Sequence, residues 1–304
     1  MSLKKDLSKY KPRKEQQEAL EFIDGQFNAD PLKKFFLLNL PVGTGKSHLA
    51  LMISEWYRKN VNRTARVDII TNSKILQDQY ADTYKSISDL KGKDNYECEQ
   101  YSCSCAQGAE FNKLNKTTCD SCPYSNSRES YMAGGISLTN FYLYILYAMY
   151  NPKMMENRGA RVLVVDEAHD FDDVMSDFVS IRMTEGIIKK FMFSDEKNLI
   201  KKLKAVRNIE QYVSYLRILN SEILSTVESM EKGIGSKSRN VREDKRDLKL
   251  SKLFKSKNSD VKVMQLVNDL RQYQVKIELF LKEFKENPNN WVLESRYNEK
   301  LRQK

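Results

Sequence analysis

Two short stretches of this 304-residue chain carry residue types spaced for phosphate chemistry. In Leu40-Pro41-Val42-Gly43-Thr44-Gly45-Lys46-Ser47, two glycines precede a lysine and a serine, after the apolar run Phe35 to Leu38 and before an amphipathic stretch, HLALMISEWYRK. Glycines allow backbone angles that turn successive N–H groups toward an anion, and a helix starting here adds its positive end. Gly43, Thr44, Gly45, Lys46 and Ser47 are therefore expected to bind ATP: Lys46 reaches the β and γ phosphates, and the Ser47 hydroxyl completes the shell of a bound Mg2+. About 120 residues later, the apolar run Val162 to Val165 ends in Asp166-Glu167-Ala168-His169. A carboxylate at the tip of a strand beside the glycine loop is where a second Mg2+ contact is needed, and Asp166 fits that role. Glu167 is placed to orient or deprotonate the attacking water, and His169 to pass the nucleotide state onward. Alone, the acidic motif could also be read as a strand ending in a solvated acidic turn; paired with the loop it reads as catalytic, with Lys46, Asp166, Glu167 and His169 as its residues. His48 is assigned a packing or surface role.

All five cysteines lie between Cys98 and Cys122. In a reducing compartment such clustering points to a metal or cluster site more than to disulfides. Cys119 and Cys122 form a clear ligand pair, and Cys98 with Cys103 or Cys105 a looser one. Thiolates suit both iron–sulfur clusters and Zn2+, so residue chemistry leaves both open. With only two histidines, His48 and His169, an all-histidine metal site and an HExxH helix are excluded.

The elements that must position these residues follow from texture. Between about residues 10 and 185, the runs KFFLLNL, ARVDIIT and ARVLVVDEAHD alternate with helical stretches, the pattern of an α/β lobe with a mainly parallel sheet. Residues 93 to 128 are rich in Cys, Asn, Ser and Asp and carry no clear period. From residue 186 the chain turns to Lys, Glu and Leu. Ile209, Tyr212, Leu216, Leu219, Ile223, Val227 and Met230 form one helical stripe, and Val263, Leu266, Leu270, Tyr273, Ile277, Phe280 and Phe284 a second. The connecting segment is strongly basic, and Lys252, Lys255 and Lys257 are its candidate phosphate contacts. The formal charge of +10 suits an anionic partner such as nucleic acid. The longest apolar stretch, Phe141 to Tyr150, is too short to span a bilayer, and the charged N-terminus lacks a secretory signal, so a cytoplasmic protein with no membrane partner is expected.

The glycine loop and the DEAH box together have the layout of a superfamily 2 helicase. The cysteine-rich stretch, with its Cys-x-x-Cys-Pro-Tyr ending and the following TNFYLYI, resembles the iron–sulfur insertion of the XPD/DinG family. KPRKEQQEAL resembles that family's adenine-recognition motif, with Arg13 and Gln16 at the matching positions. TNSKILQDQY resembles its motif Ia, a nucleic-acid backbone contact, with Thr71 and Gln79. The resemblance implies a RecA-like ATP-binding lobe over 1–92 and 129–185, an Fe–S insertion over 93–128 and a mostly helical arch over 186–304. It also implies a [4Fe–4S] cluster on Cys98, Cys105, Cys119 and Cys122, with Cys103 in reserve and Zn2+ as the alternative. The activity implied is 5′ to 3′ unwinding of forked or single-stranded DNA. The sequence departs from the pattern at Leu40 and at Asp170, where the family more often has Asn. It shows no second RecA-like lobe with its γ-phosphate arginines, so a second-lobe chain is an expected partner and the chain alone is expected to turn ATP over slowly. A non-motor ATP-binding protein that binds nucleic acid or regulates, and an RNA-directed DEAH-box ATPase, are the alternative readings.

Overall fold

The computed structural model describes residues 11–30, 32–84, 87–191, 195–233 and 259–293. Lys252, Lys255 and Lys257 lie outside the described residues. The chain divides into two compact units, parting inside the cysteine-rich stretch: the first holds the residues up to Cys105 with Asp120–Phe178, the second Ala106–Cys119 with Val179 onward.

The first unit is built on a parallel sheet. Its strands are β1 (Arg66–Thr71), β2 (Ile87–Asp89), β5 (Ile136–Asn140) and β6 (Ala160–Val165), in the order β2-β5-β1-β6. A two-stranded antiparallel hairpin, β3 (Glu97–Cys98) with β4 (Cys103–Ser104), lies between them in sequence. The helices of this unit are α1 (Lys14–Ala29), α2 (Lys46–Asn60), α3 (Lys74–Thr83), α5 (Pro123–Ala133), α6 (Phe141–Tyr150), α7 (Pro152–Arg158) and most of α8 (Phe171–Val179), while α4 (Cys105–Asn115) belongs almost wholly to the second unit. Side chains alternate across a strand. Ile69 accordingly packs with Ala50 and Leu51 of α2 and Tyr80 of α3, whereas its neighbour Ile70 packs with Phe141 and Ile145 of α6 and Phe178 of α8. Helices thus cover both faces of β1, which explains its unbroken apolar character.

The run Phe35 to Leu38, expected as the strand entering the glycine loop, is outside the sheet. Phe35 and Leu37 are each 87% exposed, and β6 ends the strand order among the described residues. Strand preference reflects packing on a half-buried pleated surface more than backbone bias, and no such surface covers these side chains.

One charge interrupts the apolar centre of β1. Asp68 and Arg158, at the end of α7, are both fully buried, and Arg158 Nε donates to Asp68 Oδ1 at 3.0 Å. Arg158 Nη2 also donates to Ser137 Oγ at 3.0 Å and to the Val67 carbonyl at 3.3 Å, so one guanidinium ties α7 to β1 and β5. Burial raises the Asp68 pKa, an effect that Arg158 opposes.

The second unit is helical: α9 (Glu185–Phe191), α10 (Glu196–Lys204), α11 (Ile209–Gly233) and α12 (Ser259–Glu286), with α4. Both stripes expected from the sequence face its core. Leu216, Leu219, Ile223 and Met230 of α11 meet Val263, Leu270, Ile277 and Phe280 of α12 in one apolar cluster. Around it, Lys190 pairs with Asp269 at 2.7 Å, and the buried Glu110 of α4 is held by Lys113 at 2.6 Å and Arg271 at 3.2 Å.

Removing one member of a buried pair strands the other's charge. Arg158→Met is expected to destabilise the first unit by about 3–5 kcal/mol in urea unfolding, and Asp68→Val/Arg158→Met to recover most of that loss.

Candidate active site

The glycine loop enters α2 through two left-handed residues, Gly43 at φ +85° and Gly45 at φ +79°. At Gly45 a side chain is excluded twice over, because a Cβ would also stand 2.7 Å from Gln16 Nε2. The loop is held from outside. Gln16, buried at the start of α1, donates from Nε2 to the carbonyls of Thr44 at 2.9 Å and Gly45 at 3.1 Å. Arg13 Nη1 donates to the Gly43 carbonyl at 2.6 Å, and the Arg13 amide donates to Gln16 Oε1 at 3.0 Å. Thr44 Oγ1 closes the turn by donating to the Pro41 carbonyl at 2.9 Å. Engaging the loop's carbonyls on this side favours an arrangement in which its amides face a phosphate.

The acidic motif meets the loop at the C-terminal edge of the sheet, where ligands of parallel sheets bind. The Asp166 amide donates to the Ile70 carbonyl at 2.9 Å, carrying the β1–β6 ladder one residue past the strand. Ser47 Oγ donates to Asp166 Oδ2 at 3.1 Å, so a hydroxyl and a carboxylate, both hard oxygen donors, stand together as a Mg2+ shell requires. Glu167 adopts a left-handed backbone, φ +57°, uncommon for a residue with a side chain. Its Oε2 lies 3.8 Å from Lys46 Nζ and 3.4 Å from His169 Nδ1. His169 is largely exposed, with Nε2 3.4 Å from Asp170 Oδ1. Asp170 in turn accepts from Asn72 Nδ2. Lys46, Ser47, Asp166, Glu167 and His169, called from two distant motifs, are therefore neighbours in space.

The motif Ia stretch divides. Thr71 is fully buried at the end of β1, its hydroxyl without a partner among the described residues, while Gln79 is exposed on α3. Sequence reasoning missed Tyr80. Its hydroxyl donates to Asp166 Oδ2 at 2.7 Å, and burial, then the Asp166 charge, raise its pKa well above the usual phenol value. The spacing of Gln77 and Tyr80, both buried, marks the inner face of α3, but a contact so far along the chain leaves no local trace. His48 packs in the expected way, its ring against Tyr84.

A family model for the type III restriction enzyme, res subunit, matches residues 9–220, over two thirds of the chain. The chain belongs to this family. The res-subunit match is to a superfamily 2 helicase-like domain, and it spans both motifs of the site. No curated protein matches the chain. No helix among the described residues is long and apolar enough to cross a membrane.

None of the five cysteines is in a disulfide. Cys98 and Cys103 face each other across the β3–β4 hairpin, and Cys98 and Cys105 are buried. Cys119 Sγ accepts from Asn112 Nδ2 at 2.9 Å within the second unit. Among the described residues no three His, Cys, Asp or Glu side chains stand so as to hold a metal ion, so the expected ligands do not form a preformed cage. Instead, Cys105 and Cys122 are hydrogen-bonded as a thiol pair. Burial pushes Cys105 up to about 11, whereas at Cys122 burial is outweighed by hydrogen bonds from Ser125 and Cys105, which lower it.

The thiolate is the nucleophile, so the group with the lowered pKa reacts first. Iodoacetamide at about pH 7.5 is expected to label Cys122 well before Cys105, read by peptide mass spectrometry, with Cys105 labelling only as pH rises toward its own range.

Proposed function

We propose that this chain is the nucleotide-binding lobe of an ATP-dependent DNA helicase that moves 5′ to 3′ on single-stranded DNA, in the manner of the XPD/DinG enzymes. The observation that carries the ATPase reading is the convergence of Lys46, Ser47, Asp166 and Glu167 from motifs about 120 residues apart. The helicase-like family match and the resemblance support the motor reading.

In this reading the loop amides and Lys46 bind the β and γ phosphates. Arg13 and Gln16, which already brace the loop, lie on the adenine side. Ser47 and Asp166 would hold Mg2+, which when bound neutralises the phosphate charge and orients the leaving group. Lys46 exchanges its contact with Glu167 for the γ-phosphate, freeing that carboxylate to take a proton from the attacking water. The water oxygen bonds to the γ-phosphorus as the bond to the bridging oxygen breaks, giving ADP and phosphate. Gln79 on the open face of α3, and Lys252, Lys255 and Lys257, are the proposed nucleic-acid contacts, with Thr71 beneath the surface as a support. A second-lobe chain is the proposed partner supplying arginines to the γ-phosphate.

The cysteine-rich stretch is proposed to take a [4Fe–4S] cluster, or Zn2+, on Cys98, Cys105, Cys119 and Cys122, with Cys103 as substitute. Support comes from the confinement of every thiol to residues 98–122 and from the family resemblance, and binding would rearrange the Cys105–Cys122 pair. No step of hydrolysis passes through this group.

Glu167→Gln is expected to retain nucleotide binding while lowering turnover about 10²–10⁴-fold, measured with a second-lobe chain and single-stranded DNA present. Lys46→Ala should lose nucleotide binding itself. Equal turnover in Glu167→Gln and wild type would favour the non-motor alternative. Protein purified without oxygen should be brown, absorbing at about 400 nm, with about four irons per chain. Colourless protein with stoichiometric zinc would assign the thiols to zinc.

A further inference from the structure

Helix α3 has two faces with different jobs. Ile75 and Gln79 are exposed, while Gln77 and Tyr80, three residues apart and so on one stripe, are buried. Gln77 fastens the helix to the sheet side, donating to the Leu90 carbonyl at 2.8 Å and accepting from Asn140 Nδ2 at 3.1 Å. Tyr80, 1% exposed, packs its ring with Ala50, Leu51 and Ile69. Core packing accounts for the ring but not for the hydroxyl. Phenylalanine would fill the same space without burying a polar atom.

The hydroxyl ends on Asp166 Oδ2 at 2.7 Å, the oxygen that also accepts from Ser47 at 3.1 Å. At the other end of the acidic motif, Asp170 accepts from Asn72, immediately before the cap of α3. Both flanks of the DEAH box therefore hydrogen-bond to the single segment Asn72–Tyr80, whose outer face is open to a ligand. A shift of α3 must either carry Asp166 with it or break a charge-assisted hydrogen bond in a buried place.

We propose that Tyr80 is a positioning residue that transmits nucleic-acid occupancy of the exposed face of α3 to the carboxylate of Asp166, and so sets the hold of the nucleotide site on Mg2+. The inference rests on the nucleotide-site reading above. It adds a residue and a route of coupling to that site.

The test uses the full chain, a fluorescent ATP analogue, and Mg2+ titrated with and without an oligo-dT strand. In the wild type, the oligonucleotide should move the Mg2+ midpoint of nucleotide binding. In Tyr80→Phe, the midpoint without DNA should rise about tenfold, the size of one lost hydrogen bond to a charged group, and should no longer respond to DNA. Metal-free nucleotide affinity should stay near wild type because the ring remains, and any fall in melting temperature should be no larger than the loss of that one hydrogen bond. Adding Tyr80→Phe to Asp166→Asn should change nothing further, a cycle that separates action through Asp166 from general loosening of the core. A Tyr80→Phe midpoint and DNA response equal to wild type, a wild-type midpoint that ignores DNA, or additive effects in the double variant would overturn this inference alone. Absence of Mg2+-dependent nucleotide binding in the wild type, or its survival in Lys46→Ala, would overturn the nucleotide-site reading and this inference with it.

Discussion

Asp166 Oδ2 accepts hydroxyls from α2 and α3, while the backbone of the same residue extends the β1–β6 ladder. Three elements distant in sequence are thereby fixed about one buried, charged atom. Each such bond to a carboxylate contributes about 1.5–3 kcal/mol, and loss of a donor leaves desolvated charge behind. The position of Asp166 relative to Ser47 depends in turn on sheet register. Toward the opposite end of β1, Arg158 holds Asp68 and Val67 together with Ser137 of β5, so β1 is constrained from both ends, against β5 by the buried pair and against β6 by the acidic motif. Misplacing the Asp166 carboxylate would require slipping a ladder whose every one-residue shift turns its side chains to the wrong face.

What could be read in the sequence was what depends on short spacing. The glycine loop, the DEAH box and both helical stripes are patterns within a few residues or a few turns, and the side chains they predicted to be together are together. Gln16 and Arg13 were found through resemblance, yet their grip on the carbonyls of Gly43, Thr44 and Gly45 is a tertiary fact. Tyr80 was invisible for the same reason: a tyrosine on the inner face of a helix is ordinary core until its partner is known. Phe35 to Leu38 had the composition of a strand and finds no strand partner among the described residues, in keeping with the dependence of β preference on neighbours. The cysteines were legible as a group. Their geometry was not, since hydrogen bonding between Cys105 and Cys122 is decided by the fold around them.

The two units divide the chemistry unevenly. The residues proposed for nucleotide binding all belong to the first, whose parallel sheet offers a rigid edge on which loops can converge. The second is an apolar helical core with ion pairs around it, and its regular stripes carry no residue type suited to phosphate chemistry. The resemblance to an arch therefore rests on order and helical character there, whereas in the first unit it rests on named side chains.

The left-handed backbone of Glu167 has a consequence for sequence change at that position. A residue with a Cβ in this conformation costs about 1–3 kcal/mol relative to glycine, and the surrounding motif bears that strain. Glycine would relax the turn while deleting the carboxylate proposed to activate water, so on that reading selection for thermal resistance and selection for turnover pull residue 167 in opposite directions. On the same reading, a stability-guided library of this chain would enrich a substitution that removes the proposed general base.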